Sequence, residues 1–263
     1  MVADPIRTRV GHAEWGDNRF WGHSVARDLA GTETWVGMIA LGVTGKRLNE
    51  NERGILDDLG VVMTVADPRI WPLKVTRLVA AYGGTLPAVA AGALSLEEAF
   101  VGHWTTGEAV RFMRTVRDAA RAPDDVEGIE AACRTRLVSR RRILGYGVPF
   151  RPIDERVVMM ADRVAARGRD KLEFWTLFGH ISDALFRLKG IHPNIGAAAA
   201  ATCLDLGFDD RQAAIVVSFL GLSDFLANAT EGALQTPSSL RTLDASSIRY
   251  VGPPPRTSPR SPP

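Results

Sequence analysis

The sequence predicts an all-α fold. Three observations carry that reading. Apolar residues recur at helical spacing along most of the chain, residues that cap and stop helices bound these segments, and no alternating strand pattern runs for any length. The connections between segments are short, which packs many helices directly against one another.

In order, residues 1 to 20 read as polar and irregular, with Trp15, Phe20 and Trp21 as anchors. From Ser24 to Gly42 the residues Val25, Leu29, Trp35, Met38, Ile39 and Leu41 indicate short buried segments. Asn49 with Glu52 has the reciprocal capping-box form, so a helix begins there and runs through Ile55 and Leu59 to Gly60. Asp67-Pro68-Arg69 breaks the pattern, because the residue before a proline is pushed out of helical geometry. Leu73 to Tyr82 is apolar at helical spacing and stops at Gly83-Gly84. Leu86 to Leu94 is rich in alanine and suits close helix packing. Leu96 to Phe100 leads into Gly102-His103-Trp104, and a helix follows over 108–121 until Pro123-Asp124-Asp125 turns the chain.

A further helix precedes Arg140-Arg141-Arg142. Beyond it, 155–166 is amphipathic and closes at Gly168. The next helix, 171–188, places Leu172, Trp175, Phe178, Ile181, Leu185 and Leu188 on one side, and Gly190 ends it. Asn194 caps an alanine-rich helix that Gly207 stops, and one long helix fills 210–227.

Composition narrows the function classes. The 263 residues suffice for one large domain or two small ones, and 46% hydrophobic with 24% charged residues is ordinary for a soluble globular chain. A net charge of +2 argues against a broad nucleic-acid surface, so a helical nucleic-acid binder using Arg134, Arg136 and Arg140–Arg142 is the least favoured reading. Cys133 and Cys203 lack metal-ligand spacing and fit a reducing cytoplasm without a disulfide framework. The first residues have no apolar signal core, and the apolar run around Ala197–Ala201 is too short to span a bilayer, so a cytoplasmic protein without membrane contact is expected. His12, His23, His180 and His192 show no metal-ligand spacing, so no metal is expected. The tail 253–263, rich in Pro, Ser and Arg, reads as disordered.

The stretch with most chemistry is Arg140 to Arg156. Three consecutive arginines precede Gly145-Tyr146-Gly147, whose glycines allow a sharp turn with exposed amides. Arg151 and Pro152 follow, and Asp154 can cap a helix with Arg156 in its first turn. Cations around a glycine turn and a helix start suit a phosphate group. A basic surface loop between two helices accounts for the same residues.

Three stretches then resemble the citrate synthase family, and more closely its short bacterial citryl-CoA lyase-like branch. Thr76-Arg77-Leu78-Val79-Ala80 through Ala90-Ala91-Gly92-Ala93-Leu94 to Gly102-His103 is similar to the helix pair before the family's first catalytic histidine. Where the family reads Leu-His-Gly-Gly-Ala, this chain has Gly-His-Trp-Thr-Thr-Gly-Glu-Ala. Ile143-Leu144-Gly145-Tyr146-Gly147 through Asp154-Glu155-Arg156 is similar to the family's Gly-Tyr/Phe-Gly-His loop ending in Asp-Pro-Arg. Pro193-Asn194-Ile195-Gly196 followed by Cys203-Leu204-Asp205-Leu206-Gly207-Phe208 is similar to the Pro-Asn-Val-Asp segment and its helix. Gly221-Leu222 and Tyr250-Val251-Gly252-Pro253 continue the order, so the resemblance covers roughly residues 20 to 253.

The resemblance implies a citrate-synthase-like all-α fold with a large helical domain (1–104 and 201–252) and a smaller inserted one (105–200). It also implies a homodimer, an acyl-CoA substrate, no tightly bound cofactor, and carbon–carbon chemistry at the acyl α-carbon. It assigns His103 to polarising the thioester carbonyl and Arg156 to gripping a carboxylate. Arg142 and Arg151 fall to the coenzyme A phosphates, the Gly145, Tyr146 and Gly147 backbone to the adenine, and Asn194 and Val148 to the substrate.

The departures are as informative. Gly196 stands where the family has its aspartate base, and Val148 where it has a histidine facing the acceptor carbonyl. Ser218 stands for an arginine, Phe225 for a histidine, and Asp67 where a further histidine is expected. Losing a hydrogen bond and a charge-assisted bond costs about 1–3 kcal/mol each, which points to a small-molecule acceptor other than oxaloacetate. Asp67 and Glu108 are candidate replacement bases. A catalytically inactive binding, regulatory or structural protein on the same fold is the alternative, and a carboxylate within reach of the thioester α-carbon discriminates the two.

Overall fold

The computed structural model describes residues 6–96, 103–139, 142–148, 152–237 and 244–254, with only the backbone of His103 and Ala245. Arg140, Arg141, Arg151 and the tail from 255 onward lie outside the described residues, as does most of 96–102. The fold class is all-α, as the periodicity predicts. The helices are α1 (Trp35–Thr44), α2 (Glu50–Met63), α3 (Trp71–Ala80), α4 (Thr85–Leu94), α5 (His103–Ala119) and α6 (Val126–Val138). They continue with α7 (Glu155–Ala166), α8 (Glu173–Lys189), α9 (Ile195–Asp205), α10 (Asp210–Leu220) and α11 (Leu222–Gly232).

The first twenty-odd residues are less irregular than the sequence reading expected. β1 (Gly11–Glu14), β2 (Asp17–Phe20) and β3 (His23–Ser24) form an antiparallel sheet in the order β1-β2-β3, with Gly11 opposite Phe20 and Arg19 opposite Ser24. β1 is exposed throughout, so no buried face imposes the alternation by which a strand is normally read. Positive φ at Trp21 and Gly22 gives the second turn the handedness of a tight hairpin. Trp15 is fully exposed and anchors nothing. Trp21 is the anchor, its Nε1 donating to the carbonyl of Gly42 at 3.3 Å. A π-helical turn, Val25–Leu29, leads on towards α1.

The capping chemistry read from the sequence is present. Asn49 and Glu52 bond reciprocally at the start of α2, and Asn194 Oδ1 accepts from the Gly196 amide at the start of α9. The long helix expected over 210–227 is two helices broken at Gly221. Residues 210–232 together form a stretch long and apolar enough to cross a membrane by length and composition, half of it buried inside the protein.

Packing divides the buried residues into two clusters. The larger joins Ile55, Leu56 and Leu59 of α2 with Met113, Ile129, Met160, Ile181 and the alanines of α9. Burying each large side chain contributes about 1.5–3 kcal/mol, and the run Ala197–Ala201, fully buried, lets neighbouring helices approach α9 from all sides. The smaller cluster joins Leu73, Ala80, Ala88, Val89, Phe225 and Ala229, from α3, α4 and α11, with Leu96 just beyond α4. There Gly92 is essential to the approach, because a Cβ on it would overlap Thr76 Oγ1 and crowd the Pro72 carbonyl.

Candidate active site

The Gly145–Gly147 turn lies on the N-terminus of α9, and four hydrogen bonds show why. The Asn194 amide donates to the carbonyl of Gly145 at 2.9 Å, and the Gly147 amide to that of His192 at 2.7 Å. Asn194 Nδ2 donates to the carbonyl of Gly147 at 2.9 Å while its Oδ1 caps the helix through Gly196. One side chain therefore holds both the turn and the helix start. Gly145 has φ +88°, and a Cβ on it would sit 3.0 Å from the Ala197 nitrogen and 3.1 Å from Ala109 Cβ. A Cβ on Gly196 would lie 3.0 Å from Asn194 Oδ1 and 3.5 Å from Gly145 Cα. At Gly196 the tight neighbour is thus the capping Asn194 oxygen, while the turn itself lies at ordinary contact distance.

The side chain of Tyr146 points into the core, edge-on to Phe112 with ring centroids 6.0 Å apart, and burial pushes its hydroxyl well above the usual tyrosine value. Its contribution to a ligand is thereby restricted to backbone. Arg142 is exposed on the segment leading into the turn. Its carbonyl accepts from Arg136 Nη2 at 3.2 Å, and the Arg136 guanidinium lies 6.0 Å from the centre of the Phe112 ring. Phe112 therefore braces both the approach to the turn and its tip. Val148 is half-buried just beyond.

Asp154 ties this turn region to the next helix. Its Oδ1 accepts from the Arg156 amide at 3.1 Å and Arg156 Nε at 2.8 Å; its Oδ2 accepts from Arg156 Nη2 at 2.8 Å and the Ile195 amide at 2.9 Å. Burial pushes this carboxyl up, but the arginine and the two amides outweigh it and hold it below the usual carboxylate value. Arg156 is thus gripped in a fork by a buried carboxylate.

His103 opens α5, the helix whose Ala109 faces Gly145. Asp67 lies in the turn before α3, accepting from the Arg69 amide, Nε and Nη2 at 2.8, 2.8 and 2.6 Å. Glu108 is paired with Arg111, which also reaches Asp210. Ser218 Oγ bonds back to the Ala214 carbonyl at 2.9 Å, and Phe225 is buried in the smaller core. Among the described residues no group of His, Cys, Asp and Glu is placed to hold a metal ion. Cys133 and Cys203 are free and buried, and burial pushes each thiol up to about 12.

The sequence reading missed Asp224. It is buried, with only 9% of its surface exposed, in the first turn of α11. Its Oδ2 accepts from the Val65 amide at 3.0 Å, while its Oδ1 is buried without a hydrogen-bond partner among the described residues. The Arg156 guanidinium acts on it through space. The available signal was a lone acid in the apolar stretch 213–229.

This helical fold is that of solved citryl-CoA lyase and citrate synthase structures. The chain is similar to citryl-CoA lyase from Hydrogenobacter thermophilus, with a TM-score of 0.79 and 22% identity over 97% of each chain. It is similar to ATP citrate lyase from Methanothrix soehngenii in complex with citrate and coenzyme A, with a TM-score of 0.69 and 14% identity over 96% of this chain and 43% of that one. Citrate synthase from Thermoplasma acidophilum, in a ternary complex with carboxymethyl coenzyme A and oxaloacetate, gives 0.59 and 14% over 86% and 59%. No protein-family model and no curated protein sequence matches the chain. At these identities the shared property is the fold.

Proposed function

We propose that this chain is an enzyme that forms or cleaves a carbon–carbon bond at the α-carbon of a coenzyme A thioester. The acceptor is a small molecule other than oxaloacetate, and the active form is a homodimer working in the cytoplasm. The observation that carries the reading is the Gly145–Gly147 turn, fastened by Asn194 to the start of α9 and flanked by the Asp154–Arg156 pair. The solved structures of this fold that contain coenzyme A or its carboxymethyl derivative support it.

In this reading Arg142 and Arg151 meet the coenzyme A phosphates as charge-assisted donors, and the backbone of Gly145 to Gly147 borders the adenine. His103, at the positive end of α5, donates to the thioester carbonyl and stabilises the enolate oxygen that develops there. Arg156 spends one edge of its guanidinium on Asp154 and presents another to a substrate carboxylate. Asn194 fixes the turn, and Val148 gives the acceptor an apolar wall.

The second reading, a binding protein without turnover, is favoured by Gly196 and by the Asp154 carboxylate that already balances Arg156. Calorimetric titration with acetyl-CoA and free coenzyme A tests both. Micromolar binding weakened by Arg142→Ala and Arg151→Ala supports an acyl-CoA site; absence of binding to the wild type removes it.

A further inference from the structure

We propose that Asp224 is the proton acceptor of this site, removing the α-proton of the bound acyl thioester. The inference rests on the acyl-CoA reading above and supplies the base that Gly196 cannot be. It starts from an imbalance in the structure. Buried polar atoms in folded proteins are nearly always bonded, and an unbonded buried carboxylate oxygen is one mark of a catalytic group. Asp224 has such an oxygen: Oδ2 is fixed by the Val65 amide at 3.0 Å, and Oδ1 is buried with no bond.

Four other carboxylates have hydrogen-bond or ion-pair partners within the chain. Asp154 gives both oxygens to Arg156 and the Ile195 amide. Asp67 is held by Arg69, and Glu108 by Arg111. Asp205 accepts from the Phe174 and Trp175 amides, one on each oxygen, at 2.9 Å.

The location is also suitable. Asp224 lies within electrostatic reach of Arg156, and Arg156 is joined through Asp154 to the Ile195 amide, the residue before Gly196. One oxygen anchored by a backbone amide fixes the direction of the other, as a positioned base requires. Burial outweighs the Val65 amide and Arg156 and lifts the carboxyl above its ordinary value, which makes it a better proton acceptor once ionised.

The step balances without a further reactant. The C–H bond at the α-carbon breaks, the proton passes to Asp224 Oδ1, and the electron pair moves onto the thioester oxygen as an enolate. In the cleavage direction the same carboxylic acid returns a proton to the enolate carbon.

The test is exchange of the acetyl protons of acetyl-CoA in deuterium oxide by the full chain, followed by NMR, with binding measured calorimetrically on the same samples. Asp224→Asn keeps an acceptor for Val65, so binding should persist while exchange falls by at least about 100-fold. Wild-type protein treated with bromoacetyl-CoA gives a second readout independent of any variant's folding. The carboxylate displaces bromide, and the resulting ester should map to Asp224 by mass spectrometry. Exchange unaltered in an Asp224→Asn protein that still binds, no exchange by a wild type that binds, or an ester on another residue overturns the assignment. Failure of the wild type to bind acetyl-CoA overturns the acyl-CoA reading itself and is recognised by the calorimetry alone.

Discussion

Asp154 accepts the backbone amide of Ile195 at 2.9 Å across 41 residues of sequence. Because Asp154 also caps α7, a single carboxylate serves the N-termini of two helices, α7 and α9, and neutralises part of the positive end of each.

Removing that carboxylate should therefore cost more than an ordinary cap. Asp154→Ala loses the cap of α7, the Ile195 bond and the fork to a largely buried Arg156. The expected loss is about 2–4 kcal/mol in denaturant unfolding. The wild type should also lose this contribution in acid. The folded carboxyl titrates below its unfolded value of 3.8, so the stabilisation is complete above that pH and disappears as pH falls through the folded value.

Asp205 should show the opposite dependence. Burial lifts its carboxyl to about 6 despite the Phe174 and Trp175 amides. Its protonated form favours folding, a contribution complete below the unfolded value of 3.8 and lost as pH rises through about 6. The stability of the wild type relative to Asp205→Asn should fall between those limits, by on the order of 2–3 kcal/mol. A difference flat in pH would show that the two amides keep the carboxylate charged throughout.

The two glycines of the turn should respond differently to alanine. At Gly145 a Cβ meets Ala197 and Ala109 at 3.0–3.1 Å in addition to the strain of φ +88°. Gly147, with φ +97°, has nothing within 4 Å. Thermal unfolding should place Gly147→Ala about 1–2 kcal/mol below wild type, and Gly145→Ala lower still. Equal effects would mean that the turn is not seated as described.

The proposed homodimer has its own test. Leu86 and Leu94 of α4 are mostly exposed large apolar residues, and Leu226 of α11 is half exposed nearby in the same three-helix unit. Sedimentation should give twice the chain mass for the wild type and a monomer for Leu86→Glu/Leu94→Glu. An unchanged sedimentation coefficient for that variant would move the interface elsewhere.

The sequence disclosed most helices because their caps are local. Asn49 with Glu52, Gly190 and Asn194 act on residues only a few positions away, and those signals survive without knowledge of the fold. The N-terminal sheet is hidden because its short strands, β1 exposed throughout, carry no apolar alternation, and the break at Gly221 because apolar periodicity continues on both sides of it. In the site, the Gly145 turn and Arg156 were legible as motifs. Their fastening was not, since the Asn194–Gly147 bond spans 47 residues. Asp224 was passed over because its meaning comes from Val65, 159 residues away, and from an oxygen left unbonded on burial.

The break at Gly221 coincides with the boundary between the two buried clusters: Leu220 packs against the larger one and Leu222 against the smaller. Separately packed units need not open together. Amide hydrogens of α3, α4 and α11 should therefore exchange through a partial opening that leaves α2, α5 and α9 protected. Asp224 belongs to the unit that opens and Arg156 to the one that stays, so each such event would draw the proposed base away from the guanidinium while most of the protein remains folded.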